Sequence, residues 1–139
     1  MRHRLIVHLV WTTRERAALI DVRVALFLSR FLRDVAGQER ARVVALGMVQ
    51  THVHMLLRIH PQTSITRLVQ RLKGGSAAVA KREGYCSVAR PLRWARGYSI
   101  DSVSHRAVEV VRHYVHTQPE HHPEEAIEGW LPRSTVPPN

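Results

Sequence analysis

The sequence predicts an α+β fold, and three features carry that prediction. Three stretches alternate in the manner of strands, two longer stretches place apolar residues three and four apart, and two of the strands are joined by only Gln50-Thr51. Alternation puts successive side chains on opposite faces of a strand, whereas a 3.6-residue period gathers them on one face of a helix. Residues 4–12 read as the first strand: Leu5, Val7, Leu9 and Trp11 alternate with Ile6, His8 and Val10, and a strand apolar on both faces belongs inside a sheet. A polar loop with Arg14 and Arg16 follows. Asp21 suits the N-cap of a helix running to about residue 36, with Val22, Ala25, Leu26, Ser29, Leu32 and Val35 in helical register and Gly37 at the C-cap. Residues 41–49 and 52–59 are the next two strands, and so short a connection predicts an antiparallel hairpin.

Ser64 caps a second helix whose Ile65, Leu68, Val69 and Leu72 form an apolar stripe, with Arg67, Arg71 and Lys73 off it. Gly74-Gly75 is expected to break this helix and residues 76–83 to resume it. Residues 84–93 read as irregular and 94–102 as the last strand. A final helix from 106 to 118 stops at Pro119, which lacks an amide hydrogen and disfavours helix before it. The order is β-α-β-β-α-β with an extra C-terminal helix. That is the split βαβ, ferredoxin-like plan: an antiparallel sheet with helices on one face. The domain is expected over residues 1–122. Residues 123–139, rich in acids and prolines, are expected to form a tail with a helical turn near Ala126 and a disordered end.

Composition narrows the function classes. A chain of 139 residues suits one domain. The single cysteine, Cys86, excludes an internal disulfide and a cysteine metal cluster, and fits the reducing cytoplasm. The apolar run Leu5-Ile6-Val7 is cut at His8, unlike a signal peptide, and no apolar run approaches membrane-spanning length. The formal charge is +10, and nine bases against one acid fall between Arg58 and Gly97. Such a concentration points to a polyanion, most simply nucleic acid, over a merely solvated basic surface.

The chemistry centres on His52-Val53-His54. Val53, Met55, Leu57 and Ile59 share one face of their strand, so His52 and His54 point together from the other. Two imidazoles so placed can share one metal ion; two ordinary histidines on a half-buried strand are the alternative. In the last helix Tyr114 and Gln118 are four apart, one turn from each other on one face. Packed under the sheet, that helix would bring an oxygen nucleophile and a neutral oxygen ligand toward the two histidines. Tyrosine is a weak nucleophile at its free pKa near 10 and needs a metal or base beside it. Tyr85 and Tyr98 are weaker candidates, because neither has a paired ligand. His121-His122 beside Glu120 carries little weight, because adjacent side chains diverge. Trp94 and Trp130 read either as core or as base-stacking residues.

Taken together, His52-Val53-His54, the 94–98 segment Trp-Ala-Arg-Gly-Tyr and the Tyr114-to-Gln118 spacing resemble the HUH single-tyrosine transposases of small insertion sequences and the related repeat-associated tyrosine transposases. The opening Val10-Trp11-Thr12-Thr13, the 72–76 turn Leu-Lys-Gly-Gly-Ser and the 118–122 ending Gln-Pro-Glu-His-His are similar too, so the likeness spans roughly residues 4–122. The resemblance implies Mg²⁺ or Mn²⁺ on His52, His54 and Gln118, and attack by Tyr114 on single-stranded DNA. The product is a 5′-phosphotyrosine and a free 3′-OH, with no nucleotide cofactor. It also implies a homodimer, in which the tyrosine helix serves its own or the partner's site, and recognition of DNA hairpins. Arg14, Arg67, Arg71, Lys73, Arg93 and Arg96 are the expected DNA contacts. The family usually has Pro-Asp before its first histidine, where this chain has Gln50-Thr51. It has Ser-Thr-Val-Gly after the Gly-Tyr, where this chain has Asp101-Ser102-Val103-Ser104. The first change removes an acid from behind a ligand, and the second removes a glycine from the entry to the tyrosine helix. A domesticated hairpin-binding protein with little or no cleavage is therefore a second reading. An RNA binder of the same plan is a third, disfavoured because the histidine strand carries no aromatic residue.

Overall fold

The computed structural model describes residues 5–130. Strands β1 (Leu5–Thr12), β2 (Ala41–Val49), β3 (His52–Ile59) and β4 (Ser99–Ser102) form one antiparallel sheet in the order β2-β3-β1-β4. β3 lies between β1 and β2, as the split βαβ plan requires, and the doubly apolar β1 is interior. Its expected first residue, Arg4, lies outside the described residues.

The main core covers one face. Leu9, Trp11, Leu46, Met48, Val53, Met55 and Leu57 of the sheet meet Val24, Leu28 and Leu32 of helix α1 (Val22–Gln38). Asp21 caps that helix, accepting from Val24 N at 2.9 Å. Gly37 was expected to end α1, but the helix runs through it, and Arg40 takes the left-handed conformation at φ 61°. The extra turn is tied down at Glu39, whose carboxylate accepts from Arg67 at 3.1 Å and Arg71 at 2.7 Å.

The next helix does not break where its glycines suggested. Helix α2 (Ile65–Gln70) passes through a π-helical turn (Arg71–Gly75) directly into α3 (Ser76–Arg82). Gly75 serves proximity instead: a Cβ there would stand 3.0 Å from the Phe31 ring. β4 is shorter than expected, because residues 94–98 join the sheet only through one bridge from Trp94 to Thr13. Gly97, at φ 80°, turns the chain, and the Lys73 ammonium donates to the Ala95 and Gly97 carbonyls at 2.8 and 2.7 Å. Those carbonyls thus have a partner outside any ladder. Both candidate stacking tryptophans are framework. Trp94 donates to Ser76 Oγ at 2.9 Å and packs edge-on to Trp11, while Trp130 is buried in the main core.

A second, smaller core covers the opposite face. Helix α4 (Val108–His116) lays Val115, with Val108 and Val111, on Ile6, Ala45 and Leu56. The expected 106–118 helix is interrupted at Thr117, whose hydroxyl donates back to the His113 carbonyl at 2.8 Å. Gln118 opens a new short helix, α5 (Gln118–His121), with Pro119 in its first turn. The segment read from sequence as a tail then makes a 3₁₀ turn at Pro123–Glu125, and Ile127 and Trp130 enter the main core. Two large apolar side chains drive that return. Residues 131–139 lie outside the described residues.

Candidate active site

The alternation of β3 turns His52 and His54 toward α4, and both are buried. The register sets His54 beside Val10 on one flank and Gly47 on the other. Gly47 decides how close α4 can come. A Cβ at Gly47 would stand 1.8 Å from the Val115 carbonyl oxygen and 3.2 Å from Gln118 Cγ. A glycine Cα hydrogen points at that carbonyl instead. Pro119, four residues on, has no amide to offer it.

Gln118 is fully buried. Its amide nitrogen donates to the Tyr114 carbonyl at 3.1 Å, which aims its Oε1 at His52 Nε2, 3.4 Å away. Tyr114, 40% exposed, sits edge-on to His54 with ring centroids 5.7 Å apart and to His8 at 6.3 Å, and leans on His121 at 4.8 Å. Of the three tyrosines, Tyr114 is the one whose ring meets His54: Tyr85 stacks on Phe27 beneath the other face, and Tyr98 stands exposed just before β4.

Both ligand candidates have their Nδ1 atoms engaged. His54 Nδ1 and His8 Nε2 share a hydrogen bond of 2.9 Å. His52 Nδ1 is 3.0 Å from Thr51 Oγ1, which in turn donates to the Glu125 carboxylate. Burial pushes His54 down to about 3, helped by the like charges of His52, His8, His122 and His121. Burial also lowers His52 and His8. Where the proton sits on Nδ1, each neutral imidazole keeps its Nε2 lone pair, and with Gln118 Oε1 these make a donor set that suits a divalent cation. A second group, His122, Glu124 and Glu125, has ligand atoms within 4.8 Å of one another.

The basic residues disperse. Arg14 and Arg93 meet at the loop after β1, where Arg14 N donates to the Arg93 carbonyl at 2.9 Å and both line one groove with Arg90. Arg67 and Arg71 belong to the opposite helical layer and hold Glu39. Lys73 braces the 95–97 turn, and Arg96 is exposed on it. α4 lies across the histidine side over β2 and β3, covering the central strand that an RNA-binding sheet of this plan would present.

The profile of the family described as "Transposase IS200 like" matches residues 1–118. The chain belongs to the IS200-like transposase family. Its similarity to the ISDra2 transposase TnpA of Deinococcus radiodurans is 31% identity over 120 residues, 84% of this chain and 85% of that protein. To the transposase of insertion sequence IS200 of Salmonella typhimurium it is 24% over 113 residues, covering 78% and 74%. A crystal structure of a candidate transposase from D. radiodurans R1 superposes with a TM-score of 0.65 at 30% identity, over 85% of this chain and 93% of that one. A REP-associated tyrosine transposase bound to a REP hairpin shares the fold, with a TM-score of 0.67 at 11% identity, over 94% and 72%.

In this IS200-like transposase, sequence reasoning passed over His8, Gly47 and Glu125. His8 was findable: it shares the Ile6–Val10 face of β1, and an antiparallel neighbour puts that face beside His54. Glu125 carried no such signal, being 74 residues from Thr51. Among the described residues no helix is long and apolar enough to cross a membrane.

Proposed function

We propose that this transposase cleaves and rejoins single-stranded DNA near hairpins, with Tyr114 as nucleophile and Mg²⁺ or Mn²⁺ held by His52, His54 and Gln118. The observation that carries the reading is the convergence of the part-exposed Tyr114 ring with buried His54 and the buried His52–Gln118 pair on one side of the sheet. A bound cation supplies Lewis-acid polarisation of the phosphodiester. Imidazole nitrogens accept Mn²⁺ more readily than Mg²⁺, which prefers oxygen. The phenolic oxygen of Tyr114 attacks phosphorus, the bond from phosphorus to the 3′-oxygen breaks, and the proton lost by tyrosine ends on the departing 3′-OH. One phosphodiester is exchanged for another, so the reverse step joins a new end without a nucleotide cofactor. Gln118, bonded to the Tyr114 carbonyl, keeps nucleophile and ligand in fixed relation.

The DNA partner is supported by the +10 charge and by the fold neighbour described with a REP hairpin. Arg14 and Arg93 are proposed as phosphate contacts beside the site, and Arg67, Arg71, Lys73 and Arg96 as a wider basic surface. A homodimer belongs to the same proposal, with Val110 of α4, 73% exposed, offering apolar contact to a second copy. Sedimentation equilibrium tests it.

Labelled hairpin-bearing single-stranded DNA, incubated with the protein and Mn²⁺ and run on a denaturing gel, tests the chemistry. A covalent protein–DNA band that survives Tyr98→Phe, vanishes in Tyr114→Phe and disappears with chelator is expected. The second reading, a domesticated hairpin binder, is motivated by Thr51 standing where the family has an acid. Tight binding without a covalent band would favour it.

A further inference from the structure

We infer that Glu125, acting through Thr51, is a positioning residue that fixes the tautomer of His52 and so presents its Nε2 lone pair to a cation; the inference rests on the metal-site reading above. A carboxylate only accepts, so the Thr51 hydroxyl spends its single proton on Glu125. Thr51 Oγ1 must then accept from His52, which places the proton on Nδ1 across the 3.0 Å contact and leaves Nε2 bare toward Gln118. Without the carboxylate, the Thr51 hydroxyl is free to donate to Nδ1. The ring then turns to the Nε2–H form, whose proton satisfies Gln118 Oε1 and blocks coordination.

Glu125 is built into place. Gln50 N donates to the Glu125 carbonyl at 2.8 Å, Gln50 Nε2 donates to the Ala126 carbonyl at 2.9 Å, and Ile127 and Trp130 anchor the following residues in the main core. The segment after the tyrosine helix therefore clips onto the β2–β3 turn and delivers the acid that the turn itself lacks. His122 Nδ1, 3.6 Å from the other carboxylate oxygen, flanks it.

The test uses the full ¹⁵N-labelled chain, metal-free, with long-range ¹H–¹⁵N correlation of the histidine rings and Mn²⁺ titration followed by EPR. Wild type is expected to show His52 as the Nδ1–H tautomer. Glu125→Ala, and separately Thr51→Val, should lose that signature and weaken Mn²⁺ binding about 10-fold or more. Thr51→Asp in the Glu125→Ala background puts a carboxylate directly on Nδ1 and should restore both. Backbone spectra identify the folded variants. A folded Glu125→Ala or Thr51→Val that keeps the Nδ1–H signature and wild-type Mn²⁺ affinity overturns the inference. If wild type binds no Mn²⁺, the metal reading fails instead, and the tautomer of the metal-free protein still reports on the relay.

Discussion

Gly47→Ala is the sharpest probe of how the site is assembled. The new methyl would fall 1.8 Å from the Val115 carbonyl oxygen, whereas ordinary contact begins at 3.4 Å, so α4 must withdraw by about 1.6 Å. Rotating the methyl away is impossible, because Cβ is fixed by the backbone. Val115 lies between Tyr114 and Gln118, so both move with it. Overpacking of this kind costs roughly 1–3 kcal/mol, and a misplacement of about 1 Å at a reacting centre costs about 100-fold in rate. Urea denaturation should therefore show a loss of about 1–3 kcal/mol, and the rate of covalent adduct formation should fall about 100-fold. Gly37→Ala is the control: nothing lies within 4 Å of its Cβ, and it sits inside α1. It should gain about 0.5–1 kcal/mol from helix propensity and leave the rate alone. Full activity with unchanged stability in Gly47→Ala would refute the claim that this contact sets the height of α4.

Other perturbations separate cap, strap and charge. Asp21→Ala removes the acceptor for Val24 N and should cost about 1 kcal/mol by urea denaturation. Trp130→Ala should cost about 3–5 kcal/mol, a core-sized loss that a dangling tail would not produce. The third concerns acid. His54 is held neutral when folded, with its pKa pushed from 6.5 to about 3, so the unfolded chain binds a proton that the native state refuses. Stability of the metal-free protein should fall as pH drops below 6.5, by up to about 2 kcal/mol between pH 7 and 5, and level off near pH 3. Urea titrations at the two pH values in wild type and His54→Gln check this; an equal slope in both would remove His54 as the cause.

What was legible in the sequence was what depends on local pattern. Alternation fixed β1, β2 and β3 and the shared direction of His52 and His54, and Asp21 announced its helix. The misreadings came from partners distant in sequence. Gly74-Gly75 read as a break because sequence does not reveal Phe31 packed against it. Residues 94–98 read as strand because Lys73 satisfying their carbonyls is a tertiary event. Pro119 read as a full stop, yet the helix yields two residues earlier at Thr117 and restarts around the proline. The missing acid before His52 read as a loss, since its replacement arrives from across the chain.

The strap formed by Ile127 and Trp130 has a consequence for motion. α4 rests on a small apolar layer, yet its chain is fastened at one end to β4 on the sheet edge and at the other to the core on the far face. Such a helix can lift like a drawbridge held at both abutments, and it cannot drift away. Because both ends stay near their seats, each reclosure begins from a high local concentration of the right surfaces, and the chain entropy lost on return is small. Hydrogen exchange in α4 should then be governed by brief excursions rather than by global unfolding. Tyr114, the proposed nucleophile, is thereby carried on the smaller apolar layer of the molecule while its return address is written into the larger core.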